Sequence, residues 1–407
     1  MRLFSLFSGA ALCSLVSSFP NAPFETSNQW VLDSTGENFT YVGVNWPGAG
    51  EVMIPEGLQY QSIQSIVSKI KSLKMNVVRL TFAIEMIDDI KDNGGDVTIQ
   101  KAFTKALGNQ GETVYQQVIK NNPQFNSGTT RMQVFDAIAA ELSKQQIYVH
   151  LDNHMSKGAW CCSGNDGNAW FGDRYFNVEK WKRGLQYMAE HVWMIGKAWP
   201  NLVSIGLRNE FRRPDSAGSS LPYDWPTWYT QNVAAADVVN KANPNILIFL
   251  SGLDYDTNLR PIPWADDIGG GKKFQLTDFK YANKLALELH NYQTSTSDCP
   301  GMEGGLWNNG FRATGERAVN KMPVVLTEFG FTQMDDSYTR TYASCIRKLM
   351  PQWKTGWTVW VLSGSYYIRS GTQDYEESWG LLNHNWSDWR NPAAINALRQ
   401  LIDASLA

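Results

Sequence analysis

Two glutamates, Glu210 and Glu328, each close a short apolar run of the chain, one beginning at Val203 and the other at Val324. An ionised side chain next to an apolar core is costly unless it is paired or functional. Two carboxyl groups that face one another can share the acid, base and nucleophile roles that cleavage of a glycosidic bond requires. The first chemical hypothesis is therefore that these two residues form a catalytic pair.

Other polar and aromatic side chains recur at the same end of most of the other apolar runs. They are Asn45, Trp46, Arg79, Asp152, His154, Asn209, His290, Tyr292 and Trp360. Arg79 is expected to hold one carboxylate ionised through charge-assisted hydrogen bonds, and His290 and Tyr292 are expected to orient the pair. Trp360 offers a flat face to a sugar ring, and Asn209 offers an uncharged amide to a sugar hydroxyl. We include Asn45, Trp46 and His154 with them as predicted substrate-binding residues.

Structural roles compete with several of these assignments. Arg79 could serve only to pair a carboxylate inside the fold, and Trp360 could belong to the core. His150 and His154 suggest a shared metal ion, but four residues along a strand span about 13 Å, which is too far for one ion. We therefore predict no metal site, an interior position for His150 and a position at the mouth of the site for His154. Asp152 is expected to be a buried hydrogen-bond partner.

Eight short runs of apolar and β-branched residues predict eight strands. They span residues 41–45, 76–81, 147–152, 203–209, 246–251, 285–290, 324–328 and 357–361. Most intervals between them contain stretches with helical periodicity, for example 63–73 and 132–142. Strands that are apolar on both faces and alternate with helices indicate a parallel sheet covered by helices, and eight such units predict an α/β fold, a single (β/α)8 TIM barrel. The polar residues would then gather at its C-terminal face, among extended loops.

One interval, residues 82–131, is longer than a simple crossover needs. It is polar, contains several glycines and asparagines, and shows one short helical stretch near 114–119. Long loops after barrel strands commonly build substrate clefts, although a surface excursion is an equal alternative.

The first 18 residues have the pattern of a secretory signal peptide, with a basic start, an apolar stretch and small residues before Phe19. We therefore expect a secreted, extracellular protein in which residues 19–407 form a single catalytic domain. No later apolar run is long enough to span a membrane, so no membrane partner is expected. A monomer is expected.

Charge and motifs exclude several classes of function. The formal net charge is −3 and no basic block is present, so nucleic acid is not an expected partner. The chain has no Gly-x-Ser-x-Gly elbow, Walker loop or Gly-x-Gly-x-x-Gly fingerprint, which disfavours serine hydrolase and nucleotide chemistry.

Four cysteines follow the predicted leader, and an even number is compatible with disulfides in an oxidising compartment. They are Cys161, Cys162, Cys299 and Cys345. Three pairings are possible, and a zinc site is the rival reading, although a vicinal pair with distant partners lacks the usual ligand spacing. Asn38 and Asn385 lie in glycosylation sequons.

In their order along the chain, these residues resemble glycoside hydrolase family 5, a member of the clan of retaining barrel glycosidases. The resemblance is carried by Gly43-Val44-Asn45-Trp46, Val78-Arg79-Leu80, His154, Asn209-Glu210, His290-Asn291-Tyr292, Thr327-Glu328-Phe329-Gly330, Trp360 and Trp379-Gly380-Leu381-Leu382-Asn383. It implies that Glu210 is the acid/base and Glu328 the nucleophile, with net retention and no metal or organic cofactor. It also implies that Arg79, His154, Asn209, His290, Tyr292 and Trp360 surround the scissile bond.

Two local features qualify the resemblance. Many relatives place proline after the acid/base, whereas Phe211 follows Glu210 here. Residues 157–162 and 168–173 resemble a cleft loop of secreted cellulase-like members, and substrate choice is expected to lie partly there.

The sequence thus predicts a retaining glycosidase that acts on a β-linked glucan, with an endo-β-1,4-glucanase as the leading choice. The alternatives within the family are a β-mannanase, a β-1,3- or β-1,6-glucanase and a β-glucosidase, and transglycosylation in place of hydrolysis also stays open. A catalytically inactive carbohydrate-binding barrel is the alternative from another class.

Overall fold

The computed structural model describes residues 21–194, 199–215 and 220–407. The predicted leader, residues 1–18, lies outside the described residues. The strands in chain order are β1 (Glu25–Ser27), β2 (Trp30–Leu32), β3 (Val42–Trp46), β4 (Val77–Ala83), β5 (Tyr148–Met155), β6 (Leu202–Gly206), β7 (Leu247–Ser251), β8 (Leu285–Asn291), β9 (Val324–Phe329), β10 (Trp357–Val359), β11 (Ser365–Arg369) and β12 (Thr372–Glu376). Strands β3 to β10 are parallel and close into a barrel in sequence order, with β10 paired to β3. The predicted (β/α)8 barrel is confirmed.

All eight predicted strands form, and most of their bounds shift by one to three residues. Strand β5 runs three residues further than predicted, to Met155, whereas β6 ends three residues earlier, at Gly206. Beyond Gly206 the chain still follows the barrel rim, where the Asn209 backbone N–H donates to the Asn153 carbonyl at 2.9 Å. Glu210 therefore sits just past its strand, and Glu328 lies within β9.

Ten α-helices of nine or more residues are described. They are Ile63–Ser72, Ile84–Asp92, Ile99–Leu107, Gly111–Asn121, Arg131–Lys144, Val178–Met194, Trp225–Ala242, Cys299–Asn309, Thr341–Trp353 and Pro392–Leu406. The first of these shows why they form. The Ser62 side chain accepts the Ser65 N–H at the helix start, and the apolar residues at helical spacing face the core.

The long interval at residues 82–131 holds three helices instead of the single short one expected. The stretch near 114–119 belongs to the longer helix Gly111–Asn121. The excursion packs against the hairpin of β11 and β12, where the Phe103 and Tyr367 rings lie 4.9 Å apart and the Leu107 carbonyl accepts from Gln373 at 2.9 Å. It therefore supports that hairpin from outside the barrel.

A second apolar cluster closes the amino-terminal end of the barrel. Phe24, just before β1, contacts Phe39 with ring centroids 4.4 Å apart, and both rings pack on Tyr148 at the start of β5. Aromatic rings fill this end of the barrel. A binding site is therefore expected at the opposite end, where the strands have their carboxyl ends.

The cysteines pair as Cys161–Cys162 and Cys299–Cys345, which selects one of the three possible pairings. Asn38 and Asn385 are both exposed, and glycosylation at them stays a prediction. In the described part of the chain, no helix combines the length and the apolar character needed to cross a bilayer.

Candidate active site

Glu210 and Glu328 face one another across a cleft of about 490 Å³ at the carboxyl end of the barrel. The His290 Nδ1 atom lies between them, 3.0 Å from Glu210 Oε1 and 3.7 Å from Glu328 Oε2. One oxygen of each carboxyl group and this nitrogen all lie within 4.8 Å of one another. Two residues 118 positions apart in the chain are thus brought into one reaction site.

Both carboxylate oxygens of Glu328 receive strong donors. Arg79 Nη1 lies 2.6 Å from Oε1, and the Tyr292 hydroxyl donates to Oε2 at 2.8 Å. Burial, and then the charge of Glu328, raises the pKa of Tyr292 well above its usual value, so this hydroxyl keeps its proton. Paired donors of this kind favour an ionised carboxylate.

Arg79 is fully buried and organises the floor of the site. Its Nη2 lies 2.9 Å from Asp152 Oδ1 and donates to Asn209 Oδ1 at 2.9 Å, while Nη1 donates to Asn45 Oδ1 at 2.8 Å. Burial alone would lower the pKa of Arg79, but the surrounding carboxylates, Asp152 first, outweigh it and raise that pKa. The guanidinium therefore remains charged inside the barrel.

The surroundings of Glu210 favour its protonated form. Burial raises the pKa of Glu210, although Arg212 and His154 act in the opposite direction. The Glu210 backbone has a left-handed conformation, with φ of 48°, and its N–H donates to the buried Asp256 carboxyl group at 2.8 Å. A non-glycine residue in this region is strained, and here the neighbouring contacts hold it in place.

His290 is uncharged in this setting because burial lowers its pKa to about 4. Its Nδ1 is within hydrogen-bond distance of Glu210, and its Nε2 lies 3.8 Å from Asp256 Oδ2. A neutral imidazole between the two glutamates can orient the Glu210 carboxyl group without adding a positive charge.

His154 and Trp360 form one wall of the cleft. Their rings are parallel, with centroids 5.6 Å apart, and His154 Nδ1 contacts Asp152 Oδ2 at 2.6 Å. Burial would raise the pKa of Asp152, but Arg79 and His154 hold it at about 2, so Asp152 is an ionised and buried partner, as predicted. His150 is also interior as predicted, with Nδ1 2.8 Å from Ser204 Oγ.

The structure brings six of the predicted site residues to the cleft surface. They are His154, Asn209, Glu210, Tyr292, Glu328 and Trp360. Arg79 and His290 lie directly behind the two glutamates, and Asn45 lies one layer deeper, where it donates to the Thr327 carbonyl at 3.0 Å. These three residues therefore support the site from below its surface.

Trp46 is a correction to the predicted substrate-binding set. It has no exposed surface, and its indole N–H donates to the Glu56 carbonyl at 3.0 Å. Successive side chains on a strand point to opposite faces. Because Asn45 points into the barrel toward Arg79, Trp46 must point outward, away from the cleft.

The two predicted cleft segments separate in the structure. Trp160, Cys161 and Cys162 line the cleft, and the Asn209 amide donates to the two sulfurs at 3.4 and 3.5 Å. Residues 168–173 are instead packed behind the site, where the Trp170 ring lies 5.3 Å from that of Phe211. Phe211 thus anchors the segment that carries Glu210 in an aromatic cluster. Of the described residues that line the cleft, none comes from 82–131.

The hairpin of β11 and β12, which forms a wall of the cleft, is not predicted from the sequence. Arg369 lies at the end of β11, with its guanidinium 3.5 Å from the Trp160 ring centroid, and Nη1 donates to Glu377 at 3.0 Å. Tyr375, Glu377, Ser378 and Trp379 extend this wall. The sequence does contain a signal for this hairpin, because Ser370-Gly371 is a pair suited to a two-residue hairpin turn. In the structure both residues have positive φ, as such a turn requires.

Two sets of groups in the described part of the chain lie close enough to share a metal ion. One is Glu210, His290 and Glu328, and the other is Cys161, Cys162 and Glu210. In the first set, Glu328 accepts from Arg79 and Tyr292, and His290 lies within hydrogen-bond distance of Glu210. In the second set the two cysteines form a disulfide, which lacks the thiolates that bind metals. The donor sets therefore fit acid/base chemistry better than metal binding.

The closed barrel and its facing carboxyl groups define a barrel glycosidase. A family model described as Cellulase (glycosyl hydrolase family 5) matches residues 32–365. The chain therefore belongs to glycosyl hydrolase family 5 and is a glycoside hydrolase, which confirms the family resemblance.

Individual relatives extend this result. A glycosyl hydrolase 5 family protein of Chamaecyparis obtusa is 32% identical over 408 residues, covering 96% of this chain and 68% of that protein. An endoglucanase of Paenibacillus polymyxa is 19% identical, covering 91% of this chain and 84% of that protein. Among solved structures, the endocellulase of Pyrococcus horikoshii in complex with cellotetraose has a TM-score of 0.68 at 18% identity, covering 94% of this chain and 99% of that one. The structural likeness confirms the barrel fold.

Proposed function

We propose that this protein is a secreted, retaining endo-β-1,4-glucanase that works by double displacement. The observation that carries the mechanism is the close approach of the two carboxyl groups, with one oxygen of each within 4.8 Å of the other. Retaining glycosidases place these groups about 5 to 5.5 Å apart, whereas inverting ones need about 6.5 to 9.5 Å to admit a water molecule. The spacing therefore favours retention.

The donors around each carboxyl group support a division of the two roles. Glu328, held by Arg79 and Tyr292, is the ionised nucleophile, and Glu210, whose pKa burial raises, is the acid. In the first step a Glu328 oxygen bonds to the anomeric carbon while the bond to the leaving sugar breaks and Glu210 protonates the departing oxygen. In the second step water replaces Glu328 at that carbon and gives its proton to Glu210, which restores both groups.

The cleft suits a chain of neutral sugars. Its lining combines flat rings, among them Trp160, Trp360 and Trp379, with hydroxyl and amide groups. Aromatic faces pack on the apolar faces of pyranose rings, and the polar groups can bind their hydroxyls. Relatives named endoglucanase and endocellulase support a β-1,4-glucan as the substrate.

Secretion is part of the proposal, with residues 1–18 as the leader and 19–407 as one catalytic domain. Two disulfides support it, because disulfides persist in oxidising compartments. N-terminal sequencing of the protein recovered from culture medium tests this point, and a mature chain that retains residues 1–18 would contradict it.

The decisive experiment follows product stereochemistry and substrate range. Hydrolysis of cellotetraose, followed by proton NMR of the first-formed anomer, is expected to show the β-anomer for the wild type. Reducing-sugar release is then compared on β-1,4-glucan, β-1,3-glucan, β-1,6-glucan, mannan and a small β-glucoside, with Glu210→Ala and Glu328→Ala as the inactive controls. First release of the α-anomer overturns the mechanism, and preference for another glycan overturns the substrate. Inactivity of folded wild type on every substrate would instead indicate a carbohydrate-binding barrel.

A further inference from the structure

Tyr255 projects an aromatic ring into the mouth of the cleft from the loop after β7. Its side chain is 41% exposed and lines the same cavity as Glu210 and Glu328. A large, partly apolar ring at an open binding cleft is a surface on which a sugar ring can pack.

The backbone that presents this ring is strained. Asp254, Tyr255 and Asp256 have φ values of 55°, 60° and 56°, so three consecutive non-glycine residues adopt the left-handed conformation. Such a conformation is unfavourable for a bulky residue such as tyrosine and persists only where surrounding contacts require it. Strain of this kind concentrates at functional sites.

The contacts that hold this turn attach it to the segment carrying the acid/base. The Tyr255 N–H donates to the Phe211 carbonyl at 2.9 Å, and the buried Asp256 accepts the Glu210 N–H at 2.8 Å. The Tyr223 hydroxyl adds a third link, since it accepts the Asp254 N–H at 2.7 Å and donates to the Phe211 carbonyl at 3.2 Å. The backbone that carries the Tyr255 ring is therefore held close to Glu210.

Two other aromatic residues of the cleft are linked to the other glutamate. Trp379 packs on Tyr292 with ring centroids 5.6 Å apart, and Tyr292 donates to Glu328. Trp379 and Tyr292 are thus tied to Glu328, whereas Tyr255 is tied through its backbone to the segment that carries Glu210.

We propose that Tyr255 is the platform for the leaving-group sugar, the β-linked glucosyl ring on the acid/base side of the scissile bond. This inference rests on the proposed function. The acid protonates the oxygen of the departing sugar, so that sugar must lie beside the acid. A ring whose backbone is bonded to the Glu210 segment is placed to stack on that sugar and to keep its oxygen near the proton.

The test compares a substrate that has a leaving sugar with one that has none. Cleavage of β-cellobiosyl fluoride depends on the nucleophile and on the sugar sites on the nucleophile's side of the scissile bond, because its leaving group is fluoride and not a sugar. Cellotetraose also requires the leaving-group site. For Tyr255→Ala, kcat/KM on cellotetraose is expected to fall about 3- to 10-fold, the range of one aromatic contact. The value on the fluoride should change less than 2-fold.

Three companion variants make the result specific. Tyr255→Phe keeps the ring and should retain the cellotetraose activity. Tyr255→Asn removes the ring but tolerates the left-handed backbone, so it decides the question if the alanine variant does not fold. Val319→Ala, at an exposed apolar residue that does not line the cleft, is the matched control. A second readout is transfer of the cellobiosyl group from the fluoride to added glucose, which should fall in the same proportion as cellotetraose cleavage.

The outcomes separate this inference from the proposed function. Equal losses on cellotetraose and the fluoride would place Tyr255 outside the leaving-group site, and no loss on either would remove it from substrate binding. A wild type that cleaves neither compound would overturn the proposed function itself, and the inference with it.

Discussion

Arg79 Nη1 lies 2.6 Å from Glu328 Oε1 in a contact from which water is almost excluded, since Arg79 is fully buried and Glu328 is 4% exposed. The same guanidinium also contacts Asp152, Asn209 and Asn45. One side chain therefore joins β3, β4, β5, β9 and the segment that leads to Glu210. Such a residue determines the geometry of the reaction site and the stability of the barrel together.

Replacement of Arg79 should therefore impair stability as well as catalysis. In Arg79→Met the buried Asp152 and Glu328 lose their common counter-charge, and loss of one partner of a buried ion pair costs about 3–5 kcal/mol. Urea unfolding should show a decrease of this size, and Arg79→Lys, which keeps a charge, should lose less. Undiminished unfolding free energy in Arg79→Met would mean that the network contributes little to the fold.

Glu210 should control the alkaline side of the pH profile. As an acid it must be protonated, so kcat/KM on cellotetraose should fall as pH rises through its pKa, which burial places above the usual value. Glu210→Gln should reduce kcat/KM on cellotetraose about 100- to 10,000-fold. β-Cellobiosyl fluoride needs no acid for its leaving group, so its kcat/KM in this variant should show no alkaline decline.

The control for this experiment is Glu179→Gln, at an exposed glutamate on the helix Val178–Met194, which should behave as wild type. An alkaline decline that persists unchanged for Glu210→Gln with the fluoride would assign that limb of the profile to another group.

Glu288 should make the protein less stable as pH rises. This fully buried carboxyl group accepts from Thr327 at 2.9 Å, lies 3.9 Å from Arg79, and has a pKa that burial raises to about 7. The pKa of this group is about 4.5 in the unfolded state and about 7 in the folded state. Between about pH 4.5 and pH 7 the folded state therefore holds a proton that the unfolded state has released, and the free energy of unfolding decreases as pH rises across this window. The loss is about 3 kcal/mol by linkage.

The measurement is the unfolding free energy at pH 5 and pH 8 for wild type and Glu288→Gln. The variant has no proton to lose at this position, so its decrease between the two values should be smaller by about that amount. Parallel curves for the two proteins would show that Glu288 is already ionised at pH 5.

The elements and the paired glutamates were predictable from the sequence because their signals are local. Apolar runs of strand length predicted all eight barrel strands, and the polar residues at their ends included Glu210 and Glu328. The direction in which a side chain points was harder to predict. The place of Trp46 at a strand end predicts a position in the cleft, but strand alternation directs its side chain outward.

Residues whose position depends on distant contacts could not be found in this way. The left-handed turn at Tyr255 is held by Phe211 and Tyr223, more than 30 residues away along the chain, and the left-handed tendency of aspartate is too weak to predict it. The buried carboxyl group of Glu288 lies inside a predicted strand, and its raised pKa follows only from burial in the closed barrel.

The two disulfides should differ in what they contribute. Cys299–Cys345 joins residues 46 positions apart, at the start of the helix Cys299–Asn309 and within the helix Thr341–Trp353, so it restricts a long loop of the unfolded chain. The loop-entropy model gives about 4 kcal/mol for a loop of this size. The double variant Cys299→Ala, Cys345→Ala should lose about that much unfolding free energy and keep its kcat/KM on cellotetraose.

Cys161–Cys162 closes no loop, but its sulfurs accept from Asn209, the residue before Glu210. The double variant Cys161→Ala, Cys162→Ala should therefore show the opposite pattern, with lower kcat/KM and little change in unfolding free energy. Equal stability losses in the two double variants would mean that loop closure is not the source of the stabilisation.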